Sequence, residues 1–145
     1  MIKNLLVIIG FLLISGCSRS NTDISVQIEK LFGNSSTAPI DLSLVGPSSW
    51  ERVCVLPPYT DNEQAERILG FKWNADHITS IRDSDAINVL VFIQGKTVIA
   101  FTEHRRVKGD FSKLVPRCLP RERSTVVRKV DTDPRSKGWV YLTVD

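Results

Sequence analysis

Residues 87–101, with the sequence INVLVFIQGKTVIAF, form the most strongly apolar segment after the first sixteen residues. Ile87 to Ile93 is nearly continuous in apolar side chains, many of them β-branched, which is typical of a central strand buried on both faces. Gln94-Gly95-Lys96 separates this run from Val98 to Phe101. The pattern predicts a β-hairpin at the centre of a sheet, with a helix on one of its faces.

Segments on either side of this hairpin extend the predicted sheet. Ile40 to Val45 alternates apolar and polar residues, which predicts a strand with one buried face. Trp50 to Leu56 predicts another strand, and Pro57-Pro58 ends it because proline cannot donate to a strand ladder. Later in the chain, Arg123 to Val130 and Gly138 to Val144 predict a second hairpin.

Two segments have helical patterns. Apolar residues recur at helical spacing over residues 22–32, although Val26 leaves a strand open as the alternative. A second helix begins at Thr60, which matches a capping box with Glu63, and Gly70 is placed to end it. Because hairpins dominate over alternating strands and helices, we expect an α+β fold, an antiparallel sheet of five or six strands with one or two helices.

The length and charge of the chain limit its architecture and its partners. Its 145 residues suffice for one domain with its own core, which we place at residues 22–145. The excess of 19 Lys and Arg over 16 Asp and Glu is too small to indicate a nucleic-acid partner. The basic residues concentrate after Ala100, which is compatible with an acidic partner and equally with a solvated face of alternating charges.

The first seventeen residues have the pattern of an export signal. Lys3 is followed by the apolar run Leu5 to Leu13 and by Ile14-Ser15-Gly16 directly before Cys17. The apolar run is too short for a membrane-spanning helix, which needs roughly 20 residues. The segment resembles a bacterial lipoprotein signal peptide, residues 1–16, with an ordinary cleaved signal or an uncleaved anchor as alternatives.

The resemblance implies that Cys17 is lipidated after cleavage and that residues 17–21 tether a soluble body to the membrane. More than one acyl chain is needed for durable attachment, and lipoprotein cysteines carry several. The expected location is therefore the cell envelope, with the body facing the periplasm. Ser18 lacks the acidic character associated with retention in the inner membrane, which favours the outer membrane.

With Cys17 assigned to lipid, Cys54 and Cys118 remain as an even pair in a compartment that permits oxidation. The sequence therefore predicts one disulfide, with a stabilising effect of roughly 4 kcal/mol by the chain-entropy relation. A nucleophilic or redox thiol is the alternative. It requires an activating neighbour or CxxC spacing, and neither cysteine shows one in the sequence.

His104, in the segment Glu103-His104-Arg105-Arg106, is the weak catalytic candidate. As a general base it would need an acidic partner such as Glu103 or Asp110. Adjacent side chains on a strand point to opposite faces, so Glu103 is poorly placed to orient the ring. We prefer a polar strand end exposed to water. His77 is the only other histidine, so the sequence predicts no metal site and no cofactor.

A candidate binding surface is suggested by residue type, because Trp, Tyr and Arg dominate binding hot spots. Its members are Trp50, Tyr59, Arg105, Arg106 and Arg117, to which Trp73 and Arg121 can be added. The alternative is that these aromatic residues, which are scattered along the chain, belong to the core.

The segments WERVC at 50–54, LGFKW at 69–73 and EHR at 103–105 are similar to a pattern shared by small uncharacterised bacterial lipoproteins. The similarity implies no catalytic residue. We expect a non-enzymatic binding or interaction module of the cell envelope, whose partners are the membrane and an envelope protein. The alternatives are a small hydrolase-type enzyme using His104, and an inhibitor or immunity lipoprotein that presents residues 108–120 as a rigid loop.

Overall fold

The computed structural model describes residues 20–34 and 37–145 and has an α+β fold. The predicted fold class is confirmed, and so is the disulfide between Cys54 and Cys118. The described residues form seven strands in two antiparallel sheets, of four and three strands, and three α-helices. The sequence predicted a single sheet of five or six strands and at most two helices, so the number of elements is slightly larger than expected.

The predicted central hairpin consists of β3 (Ile87–Gln94) and β4 (Thr97–Arg105). β3 also pairs with β2 (Arg52–Leu56), and β2 pairs with β5 (Cys118–Pro120). The strand order of the larger sheet is therefore β4-β3-β2-β5. Because successive side chains of a strand point to opposite faces, this sheet has one hydrophobic core on each face.

One face of the larger sheet is covered by α2 (Asn62–Leu69) and α3 (Ala75–Ile78). Ala65 and Leu69 of α2 are buried in the core on this face. Alternate residues of each strand face the same core. They include Cys54 and Leu56 of β2 and Val89, Val91 and Ile93 of β3. The prediction that a capped helix covers one side of the hairpin is thus confirmed.

The capping box of α2 begins one residue later than the sequence predicted. Asp61 is the N-cap: its side chain accepts the N–H of Gln64, and the side chain of Gln64 accepts the N–H of Asp61. The predicted pair, Thr60 and Glu63, does not form the capping box. Thr60 is buried, and its hydroxyl donates to the carbonyl of Pro57, so it is not available to the first turn of the helix. The helix ends at Gly70 in the left-handed conformation, with φ at 82°, as predicted.

The other face of the larger sheet is covered by α1 (Thr22–Gly33) and by the smaller sheet. The smaller sheet consists of β1 (Ile40–Asp41), β6 (Thr125–Val130) and β7 (Val140–Thr143), in the order β1-β6-β7. The predicted second hairpin, β6 and β7, is confirmed. The core between these layers includes Ile24, Ile28, Val53, Phe92, Val126 and Leu142.

The predicted strand at Ile40 to Val45 is wrong beyond Asp41. The side chain of Asp41 accepts a hydrogen bond from the N–H of Ser43 at 2.9 Å and caps a short 3-10 helix, Leu42–Leu44. Two other elements, β5 and α3, were not predicted. They have three and four residues, which is too short for a hydrophobic period to be recognised.

The described part of the chain begins beside β4, an edge strand of the larger sheet. The N–H of Asn21 donates to the carbonyl of Phe101 at 2.8 Å, and the N–H of Glu103 donates to the hydroxyl of Ser20 at 3.1 Å. Asn21 also caps α1. Two of the residues expected in the tether are therefore hydrogen-bonded to the body, while residues 17–19 lie outside the described residues.

The cap of α2 can be tested by two alanine substitutions. Asp61→Ala removes the bond to the N–H of Gln64, at 2.7 Å, and should lower the free energy of unfolding by about 1 kcal/mol. Glu63→Ala removes an exposed ion pair with Arg67 and an acidic charge in the first turn of the helix, and should cost about 0.5 kcal/mol or less. Urea unfolding followed by circular dichroism measures both values. Equal losses would contradict the assignment of Asp61 as the cap.

Candidate functional site

Four of the five residues of the candidate binding surface lie at one end of the larger sheet. β4 ends there at Arg105, which pairs with Ile87 at the start of β3. β2 leads into Tyr59 at the same end, and the carbonyl of Arg117, just before β5, accepts the N–H of Val55 at 2.8 Å. Two exposed valines accompany them. We define the sheet-end surface as Tyr59, Arg105, Arg106, Val107, Val115 and Arg117.

Arg106 is fixed by the buried carboxylate of Asp110. Its Nε and Nη2 donate to the two carboxylate oxygens at 3.1 and 2.8 Å, and Trp139 Nε1 and the N–H of Ser112 donate to the same group at 2.7 and 2.9 Å. Burial raises the pKa of Asp110, but these hydrogen bonds outweigh burial and lower the pKa to about 2. Arg106 is therefore held in place by its ion pair with Asp110, and its charge already has a partner within the protein.

Three members of the sheet-end surface are linked to one another. The hydrogen bond to Asp110 is the main cause of a raised pKa at Arg106, and Tyr59 lies close enough to contribute to the same effect. Ser112 connects the arginines, because its hydroxyl lies 3.5 Å from Arg106 Nη2 and its carbonyl accepts from Arg117 Nη1 at 2.7 Å. The structure thus brings three of the sequence-predicted residues into one cluster.

Apolar area and unpaired charge coexist on this surface. The exposed fractions of Tyr59, Val107 and Val115 are 59%, 56% and 69%. Among the described residues, neither Arg105 nor Arg117 forms an ion pair. Arg105 is exposed, whereas Arg117 is half-buried and burial lowers its pKa. A half-buried guanidinium group has lost part of its hydration. Without a carboxylate beside it, it can form an ion pair with an acidic group of a partner protein.

Trp50 does not belong to this surface, and its prediction as a surface residue is wrong. It precedes β2 at the opposite end of the sheet and is 1% exposed. Its indole donates to the carbonyl of Val45 at 2.9 Å and packs edge-on against Phe92. Two further candidates are also structural: Arg121 lies over the Trp50 ring, and Trp73 packs against Phe101.

His104 is buried, so the preferred prediction of an exposed strand end is wrong. Nδ1 of its ring lies 2.8 Å from the hydroxyl of Ser25 on α1, and the ring packs edge-on against Phe111. The pKa of His104 is lowered by burial, which is only partly offset by the backbone of Lys108 and the charge of Glu29. The ring therefore joins α1 to β4 in its neutral form.

The geometry gives no support to a hydrolase that uses His104. Such an enzyme needs an exposed hydroxyl and an acid that orients the imidazole. Here the ring is fully buried, and Nε2 has no hydrogen-bond partner among the described residues. Nε2 faces Gly109, where a Cβ atom would lie 3.2 Å away. A cleft of about 470 Å³ lies beside Phe32, Arg106 and Trp139, but His104 is not among its lining residues.

The disulfide has a neighbour that the sequence analysis missed. Arg52 Nη1 lies 3.7 Å from the sulfur of Cys54 and 4.0 Å from that of Cys118. A signal for this contact was present in the sequence, because residues two apart on a strand share a face and Arg52 precedes Cys54 by two. The predicted strand Trp50 to Leu56 already implied that Arg52 lies beside Cys54, but this consequence was not drawn.

Two general features are absent from residues 20–34 and 37–145. No group of three or more potential metal ligands lies together in this part of the chain. Within the same ranges, no helix has the length and apolar character required to cross a bilayer. Cys17, the predicted lipidation site, lies outside the described residues.

The burial of His104 predicts that the protein is less stable in mild acid. The folded state holds the ring neutral, whereas in the unfolded chain it protonates near the ordinary histidine value of about 6.5. Its contribution to stability is therefore complete above that pH and falls progressively as the pH drops below it.

Urea unfolding at about pH 7.5 and about pH 5 measures this effect. His104→Gln should flatten the pH dependence, and should do so more than His77→Gln, which changes an exposed histidine. Retention of the full pH dependence in His104→Gln would show that another group is responsible.

Comparisons with protein-family models, with curated proteins and with solved structures find no match to this chain. The described residues provide one surface with exposed apolar side chains and unpaired arginines, and one disulfide beside a cation.

Proposed function

We propose that this protein is a membrane-anchored lipoprotein of the cell envelope that acts as a non-enzymatic interaction module through the sheet-end surface. Lipid on Cys17 would attach it to the membrane, with the body facing the periplasm and the outer membrane favoured. The proposal has two parts, attachment and recognition, which are supported by different observations and tested by different experiments.

Attachment is supported by the N-terminal pattern and by the oxidised cysteine pair. Lys3, the apolar run and the small residues before Cys17 are typical of an exported lipoprotein. A disulfide that links β2 to β5 is the kind of bond that persists outside the reducing cytoplasm. Ser20 and Asn21 are bound to β4, so the body begins within a few residues of the proposed lipid.

Recognition is supported above all by the exposed apolar side chains beside two arginines that have no acidic partner among the described residues. Tyrosine and arginine are enriched in binding hot spots, and charges at an interface help to select the partner. We infer a protein partner whose surface places carboxylates opposite Arg105 and Arg117 and apolar side chains opposite Tyr59, Val107 and Val115.

An inhibitor or immunity lipoprotein is the second candidate, and the segment 108–120 favours it. Phe111 and Leu114 anchor this segment in the core, and Cys118 ties its end to β2. Val115, the most exposed of the three apolar residues of the sheet-end surface, lies between these anchors. A rigid loop with an exposed apolar tip is suited to insertion into a partner's cleft.

Replacement of Cys17 tests the attachment. Cys17→Ser should abolish incorporation of a palmitate analogue and move the protein from the membrane fraction to the soluble envelope fraction, because the modified sulfur is removed. Ser18→Ala, the neighbouring control, should keep both the label and the membrane fraction. Labelled, membrane-bound Cys17→Ser protein would contradict the assignment.

A pair of matched double variants tests the recognition surface. Arg105→Glu with Val107→Ala changes the sheet-end surface, whereas Lys129→Glu with Val130→Ala makes the same kind of change on the smaller sheet, where Val130 is 61% exposed. A photoreactive phenylalanine analogue at Tyr59 should give a discrete cross-linked protein in intact envelopes. The first double variant should reduce this product by about tenfold or more, because hot-spot contacts are lost.

The control double variant should leave the cross-linked product unchanged. Absence of a discrete product, or equal reduction by both double variants, would contradict the surface as a recognition site. Arg106 is unsuitable for this test because its substitution would leave the buried carboxylate of Asp110 without its cation.

A further inference from the structure

We propose that the Cys54–Cys118 disulfide is a site of thiol–disulfide exchange with an external dithiol, which attacks Cys118 and releases Cys54 as a thiolate beside Arg52. This inference is independent of lipid on Cys17 and of the sheet-end surface. It rests on the position of one guanidinium group and on the unequal burial of the two sulfurs.

Arg52 is held firmly beside the disulfide. Its Nη2 donates to the carbonyl of Leu69, at the end of α2, at 2.8 Å, and the guanidinium lies 5.9 Å from the centre of the Phe71 ring. These contacts direct Nη1 toward the sulfurs, at 3.7 Å from Cys54 and 4.0 Å from Cys118. A fixed cation at this distance favours the thiolate form of a cysteine over the thiol.

The two cysteines are not equivalent. Cys54 is fully buried in β2, between β3 and β5, whereas Cys118 is partly exposed on β5, an edge strand of three residues. An incoming thiolate can therefore approach Cys118 along the free edge of β5. The better-protected sulfur, Cys54, is the one nearer to Arg52 and is suited to be the leaving group.

The exchange balances in two steps. A thiolate of the dithiol forms a bond to Cys118 Sγ while the Cys54–Cys118 bond breaks, and the electron pair of that bond leaves with Cys54. The second thiolate of the dithiol then attacks the mixed disulfide and releases Cys118. The dithiol is oxidised to a disulfide by loss of two electrons, both cysteines are reduced, and the two protons of the dithiol are available to them.

Reduced Cys118 has a place for its proton. Its sulfur lies 3.2 Å from the carbonyl of Ile68, which can accept a hydrogen bond from a thiol. Cys54 is left with the cation. The surroundings therefore favour the thiol form of Cys118 and the thiolate form of Cys54. This difference makes Cys54 the better leaving group in the exchange.

The rate of reduction by dithiothreitol under native conditions tests the proposal. The full chain is purified in oxidised form, and alkylation followed by peptide mass spectrometry measures Cys54 and Cys118 separately from Cys17. The rate should rise in proportion to the dithiothreitol concentration and exceed the rate of global unfolding. Arg52→Met should slow the reaction about three- to tenfold at neutral pH, because the leaving thiolate loses its cation.

Arg128→Met is the matched control. Arg128 also lies over an aromatic ring, Phe32, and donates to backbone carbonyls, but it belongs to β6 in the smaller sheet. Its substitution should leave the rate of reduction within about twofold. A rate limited by global unfolding, or equal rates for wild type and Arg52→Met, would overturn the proposal and leave a purely structural disulfide.

A measurement on the unmodified protein covers the case in which Arg52→Met does not fold. After reduction, the first thiolate to form, followed by its ultraviolet absorbance so that no reagent has to reach the buried sulfur, should be half-formed at a pH about one unit or more below that of free cysteine, because Arg52 favours it. Formation of the first thiolate at or above the pH for free cysteine would overturn the proposal.

Discussion

A sheet with neither face open to water is the constraint on which the rest of the structure depends. Six successive residues of β3, from Asn88 to Ile93, are buried, so each side of the larger sheet has to be covered by another layer. Helices α2 and α3 supply one layer, and α1 with the smaller sheet supplies the other. Binding and exchange chemistry are thereby confined to the strand ends and the edge strands, which is where both proposals place them.

Sequence patterns predicted the features that residues close together in the chain determine. They failed for features that depend on contacts between residues far apart in the chain. The hairpin β3-β4 and the end of α2 at Gly70 follow from short-range periodicity and turn chemistry. The burial of His104 could not be predicted, because it depends on α1 and on Ser25, which is 79 positions away in the chain. Trp50 was misplaced for the same reason, since Phe92, the ring against which it packs, lies on another strand.

Five arginines without an acidic partner in the described residues differ in what surrounds their guanidinium groups. Arg52, Arg121 and Arg128 each lie over an aromatic ring and donate to backbone carbonyls, so each connects separate parts of the structure. Arg105 and Arg117 have neither a ring nor an acid beside them within the described residues. Residue type alone could not separate the groups, because in a single sequence a stacked arginine and an unpaired one look the same.

The attachment of Ser20 to β4 limits how far the body can stand from residue 17. Consecutive Cα atoms are 3.8 Å apart, so three steps reach at most about 11 Å. Ser20 bonds to Glu103, and Arg105 lies two residues further along the same strand, roughly 7 Å away. With a bilayer anchor at Cys17, Arg105 would lie close to the lipid headgroups. Such a short tether would favour partners that are embedded in the membrane or bound to its surface over partners that diffuse through the aqueous space.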